Sequence, residues 1–364
     1  MALIEKNEAV LIAKNFKIEG NIIDCRPYGS GHINNTFLVD CECCDNRKRY
    51  VLQAVNTNVF KKPEEVMNNI LKVTNFLRKK AENPEDIMVL VPALDGKAYS
   101  IDSKNRFWRV LSYVENSICL DLPETPEDFY QSAVAFGRFQ NQLNDFPVEE
   151  LFETIPNFHN TPKRFMDFEE AIEKDLVGRA AEIKDDIQFY LDRKDFCSVL
   201  YDANKEGKLP FRVTHNDTKI NNVMLDATTR KPKCVIDLDT IMPGFSVTDF
   251  GDSIRFGAST AAEDEKDLDK VWIDLELFAS YTKGFLEGCG GLLSEDEINL
   301  MPEGAKMMTL ECGMRFLTDY LNGDTYFKTS YSDQNLVRAR THIKLIKDME
   351  KHWDEMKKIV KECI

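Results

Sequence analysis

The stretch from Arg212 to Thr240 constrains the fold of this chain more than any other feature. Its polar loop, HNDTKINN, is followed by a short apolar run, a turn, and a second apolar run that ends at Asp237. This pattern predicts two neighbouring strands with Asp217, Asn222 and Asp237 at strand ends. One acid can then orient a hydroxyl group, while an amide and a second acid supply oxygen ligands for Mg²⁺. Phosphoryl transfer needs an arrangement of this kind.

The N-terminal part of the chain predicts a small, mostly antiparallel sheet with one helix. Strand-like runs occur at 22–26, 36–40, 50–55, 87–91 and 107–113, and residues 63–80 have the apolar spacing of an amphipathic helix. Gly29, Ser30 and Gly31 lie between the first two runs. Glycines at such a turn let backbone N–H groups approach a phosphate, but a tight hairpin would use the same residues. A Walker A loop is excluded, because no Gly-Lys-Ser/Thr follows.

Beyond residue 116 the pattern changes to helices. A Thr-Pro-Glu-Asp start signal predicts a helix from Thr125 to Leu143, and further helices are predicted at 161–193 and 268–288. The stretch 333–364 has apolar residues at three- or four-residue spacing, which is typical of a dimerising coiled coil or of a helix that covers its own core. We favour the second interpretation. The chain is therefore predicted to be an α+β protein with a small N-terminal lobe (1–113) and a larger, mainly helical C-terminal lobe (114–364).

Composition excludes several classes of protein. The 364 residues carry a net charge of −15, which would repel nucleic acid and anionic membranes. No stretch approaches the roughly 20 apolar residues that span a bilayer, and the N-terminus lacks the apolar run of a signal peptide. We therefore expect a cytoplasmic protein. The ten cysteines are scattered except for CECC at 41–44, where no second ligand pair has zinc-site spacing, so reduced cysteines in a hairpin are favoured.

The central motifs resemble those of a known superfamily. His215-x-Asp217-x-x-x-x-Asn222, followed by Ile236-Asp237, resembles the catalytic loop and metal-binding acid of the protein-kinase-like fold, in its aminoglycoside phosphotransferase branch. The segments HNDTKINN, VIDLDTIMPG, DFGDSIRFGA and RFLTDYLNGDTYF resemble more narrowly the bacterial N-acetylhexosamine 1-kinases. The resemblance implies a two-lobed, ATP- and Mg²⁺-dependent kinase that phosphorylates the anomeric hydroxyl of N-acetylhexosamine (GlcNAc or GalNAc). The N-terminal lobe would bind the nucleotide and the C-terminal lobe the sugar.

The resemblance also implies roles for individual residues. Asp217 would be the catalytic base, Lys219 would neutralise charge on the transferring phosphoryl group, and Asn222 and Asp237 would hold the metal. The nucleotide-binding positions would be Gly29, Ser30, Gly31, Gln53, Tyr113 and Glu115, the last two through hinge backbone groups. The substrate-binding positions would be His32, Thr240, Phe256, Arg315 and Tyr326. We interpret His215 as a structural partner of the loop, and Asp249 and Asp252 as acids that cap a helix start.

One position departs from the pattern of the superfamily. Kinases carry on the third strand a lysine that pairs with the donor phosphates and with a helix glutamate, whereas this chain has Gln53 there. A neutral amide cannot supply that charge, which puts the usual ion pair with Glu64 or Glu65 in doubt and gives more weight to Lys219.

Two alternatives to an N-acetylhexosamine kinase remain open. Another alcohol kinase of the same superfamily would act on choline, homoserine or an aminoglycoside, but Arg315 in the pocket argues against a cationic substrate. A nucleotide-binding pseudokinase is supported by the missing lysine and opposed by the complete set of Asp217, Asn222 and Asp237. The expected partners are ATP and a small sugar, with no nucleic acid and no membrane, for a monomer or a homodimer.

Overall fold

The computed structural model describes residues 4–29, 34–44, 46–81 and 83–364. An antiparallel sheet with helices on its faces forms the N-terminal lobe, and the C-terminal lobe is mainly helical. The predicted α+β, two-lobed fold class is confirmed. The exact boundary between residues 113 and 114 stays a prediction.

The N-terminal sheet has the strand order β1-β2-β3-β6-β4, with β5 also paired to β6, and all its pairs are antiparallel. Its strands are β1 (Asn21–Pro27), β2 (Asn35–Cys43), β3 (Asn46–Val55), β4 (Leu90–Val91), β5 (Ser100–Ile101) and β6 (Phe107–Ser112). Helix α1 (Lys6–Ala13) packs with residues such as Leu52 on one face, and helix α2 (Pro63–Lys80) packs with residues such as Val51 on the other. Because side chains alternate along a strand, both faces of β3 are buried.

The strand predicted at 87–91 forms only at Leu90–Val91. The backbone N–H of Val89 donates to the side-chain oxygen of Ser112 over 2.9 Å instead of to a ladder carbonyl. The apolar run is thus packed against the sheet, although most of it is not a strand.

The C-terminal lobe contains short strands beside the cleft and a bundle of helices behind them. The predicted hairpin is present as β9 and β10, β7 adds to β9, and β8 pairs separately with β11. These strands are β7 (Ser117–Ile118), β8 (Arg212–Thr214), β9 (Val223–Asp226), β10 (Pro232–Val235) and β11 (Met242–Gly244). The helices are α3 (Pro126–Gln142), α4 (Thr161–Lys174), α5 (Lys184–Leu191), α6 (Val199–Lys205), α7 (Ser246–Gly257), α8 (Leu275–Cys289), α9 (Glu295–Asn299), α10 (Met301–Leu321), α11 (Gln334–Lys351) and α12 (Trp353–Glu362).

Several predicted helices are present with altered boundaries. Helix α3 begins as predicted, with Thr125 and Asp128 in a capping box. The stretch 161–193 is divided because Asp175 adopts a left-handed conformation (φ 34°) that ends α4. The stretch 333–364 is divided at His352, and most of its apolar residues are buried in the core of this chain, as favoured from their spacing, whereas Trp353 is partly buried and Ile364 is exposed.

No helix in the described part of the chain is long and apolar enough to cross a membrane. All ten cysteines are described, and none of them forms a disulfide. The cysteines at 41–44 belong to no cluster of metal ligands among the described residues.

Candidate active site

The loop that follows β8 presents Asp217 to a large cavity. Asn216 adopts a left-handed conformation (φ 65°), which asparagine tolerates better than most residues. Its side-chain amide donates to the Thr240 carbonyl over 2.9 Å and so joins the loop to the chain that follows β10. The turn at Asn216 therefore directs the next residue, Asp217, into the cavity.

Two buried acids on α7 hold the backbone of this loop. Asp249 accepts hydrogen bonds from the N–H groups of His215 (2.9 Å) and Asn216 (2.8 Å), and Asp252 accepts one from Thr218 (3.0 Å). The sequence suggested that these acids cap the start of a helix. They instead bind the catalytic loop, which explains their burial, since a buried carboxylate must be hydrogen-bonded.

His215 has a structural role, as interpreted from the sequence. Its Nδ1 accepts from the backbone N–H of Asp217 (3.3 Å), so the ring proton resides on Nε2, which donates to the Ile236 carbonyl over 2.8 Å. Both ring nitrogens are therefore occupied within the protein, and the ring links the loop to the end of β10.

The cavity has a volume of about 900 Å³ and lies where the sheet, the β9–β10 hairpin and α7 meet. The predicted site residues that line it are Gly29, Gln53, Asp217, Lys219, Asn222, Asp237, Thr240 and Phe256. Those that do not line it are Tyr113, Glu115, Arg315 and Tyr326. Ser30, Gly31 and His32 lie outside the described residues. The structure thus brings together the predicted catalytic and metal-binding residues.

Lys219 and Asn222 both contact Asp217. The Lys219 Nζ lies 2.9 Å from Asp217 Oδ1, and this acid raises the pKa of Lys219, so the lysine stays protonated. The Asn222 side-chain amide donates to the Asp217 carbonyl (2.8 Å) and to Asp217 Oδ2 (3.2 Å). Because the nitrogen of Asn222 is used in this way, its Oδ1 is left for a ligand.

Asp237 is a second residue at the cavity wall whose oxygen atoms could hold a metal ion. It faces the cavity in a left-handed conformation (φ 59°), and no described N–H or O–H group donates to its carboxylate. The Asp237 carboxylate is accessible to water within the cavity, but the cavity walls enclose it. This burial, together with the nearby charges of Asp239 and Asp217, raises the pKa of Asp237 to about 6. A carboxylate and an amide oxygen without protein donors are the hard ligands that suit Mg²⁺.

The sequence interpretation missed a buried ion pair at the cavity wall. Arg109 on β6 binds Asp239 through both terminal nitrogens, with 3.0 Å between Nη2 and Oδ2, and its Nε donates to Gln53 Oε1 over 2.8 Å. Asn34 donates to the same Asp239 carboxylate over 2.9 Å. An arginine inside the apolar strand FWRVLS and the second acid of IDLD were the available signals, since a buried charge requires a partner.

The usual kinase ion pair does not form between the third strand and the helix. Gln53 bonds to Arg109 and to the Thr36 hydroxyl, while Glu65 pairs with Lys62 on the surface and Glu64 is exposed. Helix α2 is joined to the site by another contact. The buried Asn69 amide donates to the Ile241 carbonyl (3.0 Å), just after the Asp237–Thr240 segment.

The end of the cavity beyond Asp217 is lined by α7, the loop after it, and α11. Ser259, Thr260 and Thr341 line this end together with Phe256, and each of the three hydroxyl groups donates to a backbone carbonyl. The acidic side chain at this end, Glu263, is paired with Arg255 over 2.8 Å, and Arg255 also binds Asp252. This part of the cavity combines hydroxyl groups with acids that are already neutralised.

Arg315 and Tyr326 lie together away from the cavity lining. The Arg315 guanidinium is 5.8 Å from the Tyr326 ring centroid and 5.5 Å from that of Phe158. Asp319 holds the loop after α10 by accepting three backbone N–H groups, including that of Tyr326 at 2.8 Å. The motif RFLTDYLNGDTYF therefore specifies a loop conformation as well as two candidate ligand residues.

The side chains of Tyr113 and Glu115 both contact Arg49. The Arg49 guanidinium lies 4.0 Å from the Tyr113 ring centroid, and its Nε donates to Glu115 Oε1 over 3.0 Å. These contacts hold the connection after β6, and the Glu115 carbonyl accepts a further hydrogen bond from Lys233 over 3.0 Å.

The fold and the site together define a small-molecule phosphotransferase of the kinase-like class. A family model described as the phosphotransferase enzyme family (APH) matches residues 24–276, and the chain belongs to that family. The cavity and the catalytic loop both lie largely within the matched residues.

Solved structures of low identity share the fold. An aminoglycoside phosphotransferase from Alicyclobacillus acidocaldarius is similar with a TM-score of 0.64 and 10% identity, covering 100% of this chain and 98% of its own. A choline kinase from Cryptosporidium parvum has a TM-score of 0.62 and 14% identity over 98% and 99% of the two chains. The GDP complex of aminoglycoside 2′-phosphotransferase-IIIa has a TM-score of 0.60 and 13% identity over 93% and 99%.

Proposed function

We propose that this protein is an ATP- and Mg²⁺-dependent kinase that phosphorylates the anomeric hydroxyl of an N-acetylhexosamine. The observation that carries the proposal is that Asp217, Asn222 and Asp237 meet at the wall of one cavity of about 900 Å³. Ligand sites span about 300 to 1,000 Å³, so this cavity is large enough for a nucleotide and a small acceptor. A cytoplasmic location is part of the same proposal.

The nucleotide would occupy the side of the cavity next to the sheet. Apolar side chains of Val51, Leu111 and Met224 line that side and suit a purine ring. Gly29, Ser30 and Gly31 would approach the phosphates, Gln53 lies on the same wall, and backbone groups of Tyr113 and Glu115 would bind the base. Structural neighbours solved in complex with GDP and with ADP support the binding of a nucleotide.

Asp217 would accept the proton of the acceptor hydroxyl. The hydroxyl oxygen forms a bond to the γ-phosphorus, the bond from that phosphorus to the bridging oxygen breaks, and ADP leaves. Asn222 Oδ1 and the Asp237 carboxylate would hold Mg²⁺, which when bound neutralises charge on the phosphates. Lys219 orients the Asp217 carboxylate and adds positive charge beside the transferring group.

A neutral sugar suits the opposite end of the cavity. The hydroxyl oxygens of Ser259 and Thr341, whose protons go to backbone carbonyls, can accept hydrogen bonds from sugar hydroxyls, and the Phe256 ring can pack on one face of the sugar. The pairing of Glu263 with Arg255 neutralises an acid that would otherwise attract an amine. His32, Thr240, Phe256, Arg315 and Tyr326 remain the proposed acceptor contacts. Arg315 and Tyr326 would reach the sugar from the aromatic cluster beside Phe158.

A panel of acceptors with ATP and Mg²⁺ tests the proposal, with the phosphorylated position read by phosphorus NMR. We expect turnover of GlcNAc or GalNAc to the 1-phosphate. Turnover of choline, homoserine or an aminoglycoside without any hexosamine would replace the proposed acceptor. Nucleotide binding without turnover of any acceptor would support a pseudokinase instead.

The variant Asp217→Asn tests the role of the base. We expect kcat to fall roughly 10²- to 10⁴-fold with ATP affinity retained, because a positioned base contributes about that much. The control is Asp226→Asn, which alters an acid of the β9–β10 turn that bonds only to turn residues such as Thr229 (2.8 Å). Full activity of Asp217→Asn would show that another group accepts the proton.

A further inference from the structure

Arg109 is an unexpected residue for its position in the fold. It lies in the middle of β6, whose other residues from Phe107 to Leu111 are buried and apolar, and only 2% of its own surface is exposed. Taking a guanidinium out of water is costly even when it is paired, and well-packed apolar side chains are often at least as stable. The presence of a charge here therefore suggests a purpose other than stability.

The register of the sheet places Arg109 directly beside Gln53. The two residues are paired across β3 and β6, so their side chains project from the same face of the sheet. The Nε of Arg109 donates to Gln53 Oε1 over 2.8 Å, and Gln53 is braced in turn by Thr36. The amide of Gln53 carries no charge, but it positions the charged guanidinium of Arg109 beside it.

Asp239 orients the guanidinium but does not use all of its donors. An arginine has five N–H groups; Nε binds Gln53, and each terminal nitrogen gives one N–H to Asp239. The second N–H of each terminal nitrogen has no partner among the described residues. Arg109 lines the cavity, as do Asp237 and Gln53, and the planar fork of arginine matches phosphate oxygens.

The distribution of charge in the cavity also favours a cation on the side of the sheet. Asp217, Asp237 and Asp239 face a space that would receive the anionic phosphates of the donor. Lys219 is engaged with Asp217 on the acceptor side, whereas Arg109 lies on the sheet side. Arg109 neutralises Asp239, and its remaining N–H groups would attract the phosphates on that side, in addition to the proposed Mg²⁺ at Asp237.

We propose that Arg109 contacts the donor phosphates and replaces, from β6, the lysine that other kinase-like proteins carry at the position of Gln53. The inference depends on the proposed function only in that it uses the same placement of the nucleotide. It does not depend on which acceptor is phosphorylated.

Calorimetric titration with ATP·Mg²⁺ and with adenosine, in the absence of acceptor, separates a phosphate contact from a role in folding. We expect Arg109→Met to lower the affinity for ATP about 10- to 100-fold, the loss typical of hydrogen bonds to a charged group, with adenosine affinity unchanged. Arg109→Lys should retain part of the ATP affinity, since the charge remains without the fork. Adding Gln53→Lys to Arg109→Met should restore part of it by returning the cation to β3.

Two further variants keep the test interpretable. Arg106→Met removes a salt-bridged arginine near the start of β6 that pairs with Glu8 and Asp102 outside the cavity lining, and should leave the ratio of ATP to adenosine affinity unchanged. Arg109→Met alone leaves Asp239 unpaired and could fail to fold for that reason. In that case the ratio of ATP to adenosine affinity is compared between the double variant Arg109→Met/Asp239→Asn and the single variant Asp239→Asn.

An unchanged ratio of ATP to adenosine affinity in these Arg109 variants would overturn the proposal. The ratio is also unchanged if both affinities fall by the same factor, and that result would indicate a structural role for Arg109. If the wild-type protein binds ATP no more tightly than adenosine, no phosphate contact exists and the proposal is wrong. If it binds ATP but phosphorylates no hexosamine, the acceptor proposal fails while the affinity ratios still decide the role of Arg109.

Discussion

Replacing His159 by phenylalanine tests how the catalytic loop is held from the side of α10. The His159 Nδ1 lies 2.8 Å from Glu311 Oε1, and its Nε2 lies 3.0 Å from the Asn216 carbonyl, next to Asp217. Both partners are acceptors, so both ring nitrogens donate and the ring is protonated. Burial and the nearby Arg315 oppose the charge, but Glu311 and the carbonyl outweigh them and raise the pKa of His159 above 6.5.

The expected loss of stability follows from the burial of this pair. The His159 side chain is 11% exposed and that of Glu311 is 1% exposed. Removing one partner of a buried pair costs about 3 to 5 kcal/mol, because the other charge is left without compensation. His159→Phe combined with Glu311→Met removes both charges and should cost less than His159→Phe alone. In both variants kcat should fall, because the Asn216 carbonyl loses its donor.

The pair also makes stability depend on pH in a defined direction. Because the folded-state pKa of His159 is raised, its stabilising contribution is fully present below the unfolded value of 6.5 and is lost as the pH rises through the folded value. The loss is at most about 1.4 kcal/mol per pH unit for one proton. Although burial acts in the opposite direction, His159 and Thr161 lower the pKa of Glu311, so its contribution is lost only when the pH falls through a value below 4.5.

Urea unfolding of the wild type and of the double variant at a series of pH values measures this effect. The difference in unfolding free energy between them should be largest from about pH 4.5 to pH 6.5 and should decrease above that range. Other titrating groups cancel in the difference. A difference that stays constant up to about pH 9, or a loss of less than about 1 kcal/mol in His159→Phe, would refute the protonated pair.

Three more outcomes are expected from other contacts in the structure. A Cβ on Gly251 would lie 2.2 Å from the Gly304 carbonyl oxygen, so Gly251→Ala should push α7 away from α10. We expect this change to lower the free energy of unfolding by about 1 to 3 kcal/mol, measured by thermal melting, and to lower kcat, measured by steady-state kinetics. Lys219→Met should lower kcat about 10- to 100-fold with ATP affinity retained, and an unchanged kcat would argue against both proposed roles of the lysine. Asp319→Asn should loosen the loop after α10 and raise the KM for the sugar alone; an unchanged sugar KM would argue against acceptor contacts from that loop.

Local signals in the chain were sufficient for several elements. The proline and apolar spacing of 63–80 predicted α2, and the Thr-Pro-Glu-Asp signal predicted the capping box at Thr125. These predictions succeeded because the interactions that decide such elements lie within a few residues of one another. The break at His352 has no comparable signal, since neither glycine nor proline marks it.

The strand predicted at 87–91 shows where local reasoning is insufficient. Met88, Leu90 and Val91 are buried, but the N–H of Val89 donates to the Ser112 side chain and only its carbonyl accepts from the Ser112 backbone, so the paired strand begins at Leu90. Which donor meets which acceptor is decided by the neighbouring strand. That choice cannot be read from the segment alone.

The motif from Arg212 to Thr240 was enough to predict that Asp217, Asn222 and Asp237 lie close together, because they belong to a continuous loop and hairpin, and all three line one cavity. Only the tertiary structure shows what surrounds them. Asp249 comes from α7, and Arg109 comes from β6, more than a hundred residues earlier than the loop it faces. Their partners are distant in the chain, and a buried charge is explained only when its counter-charge is located in space.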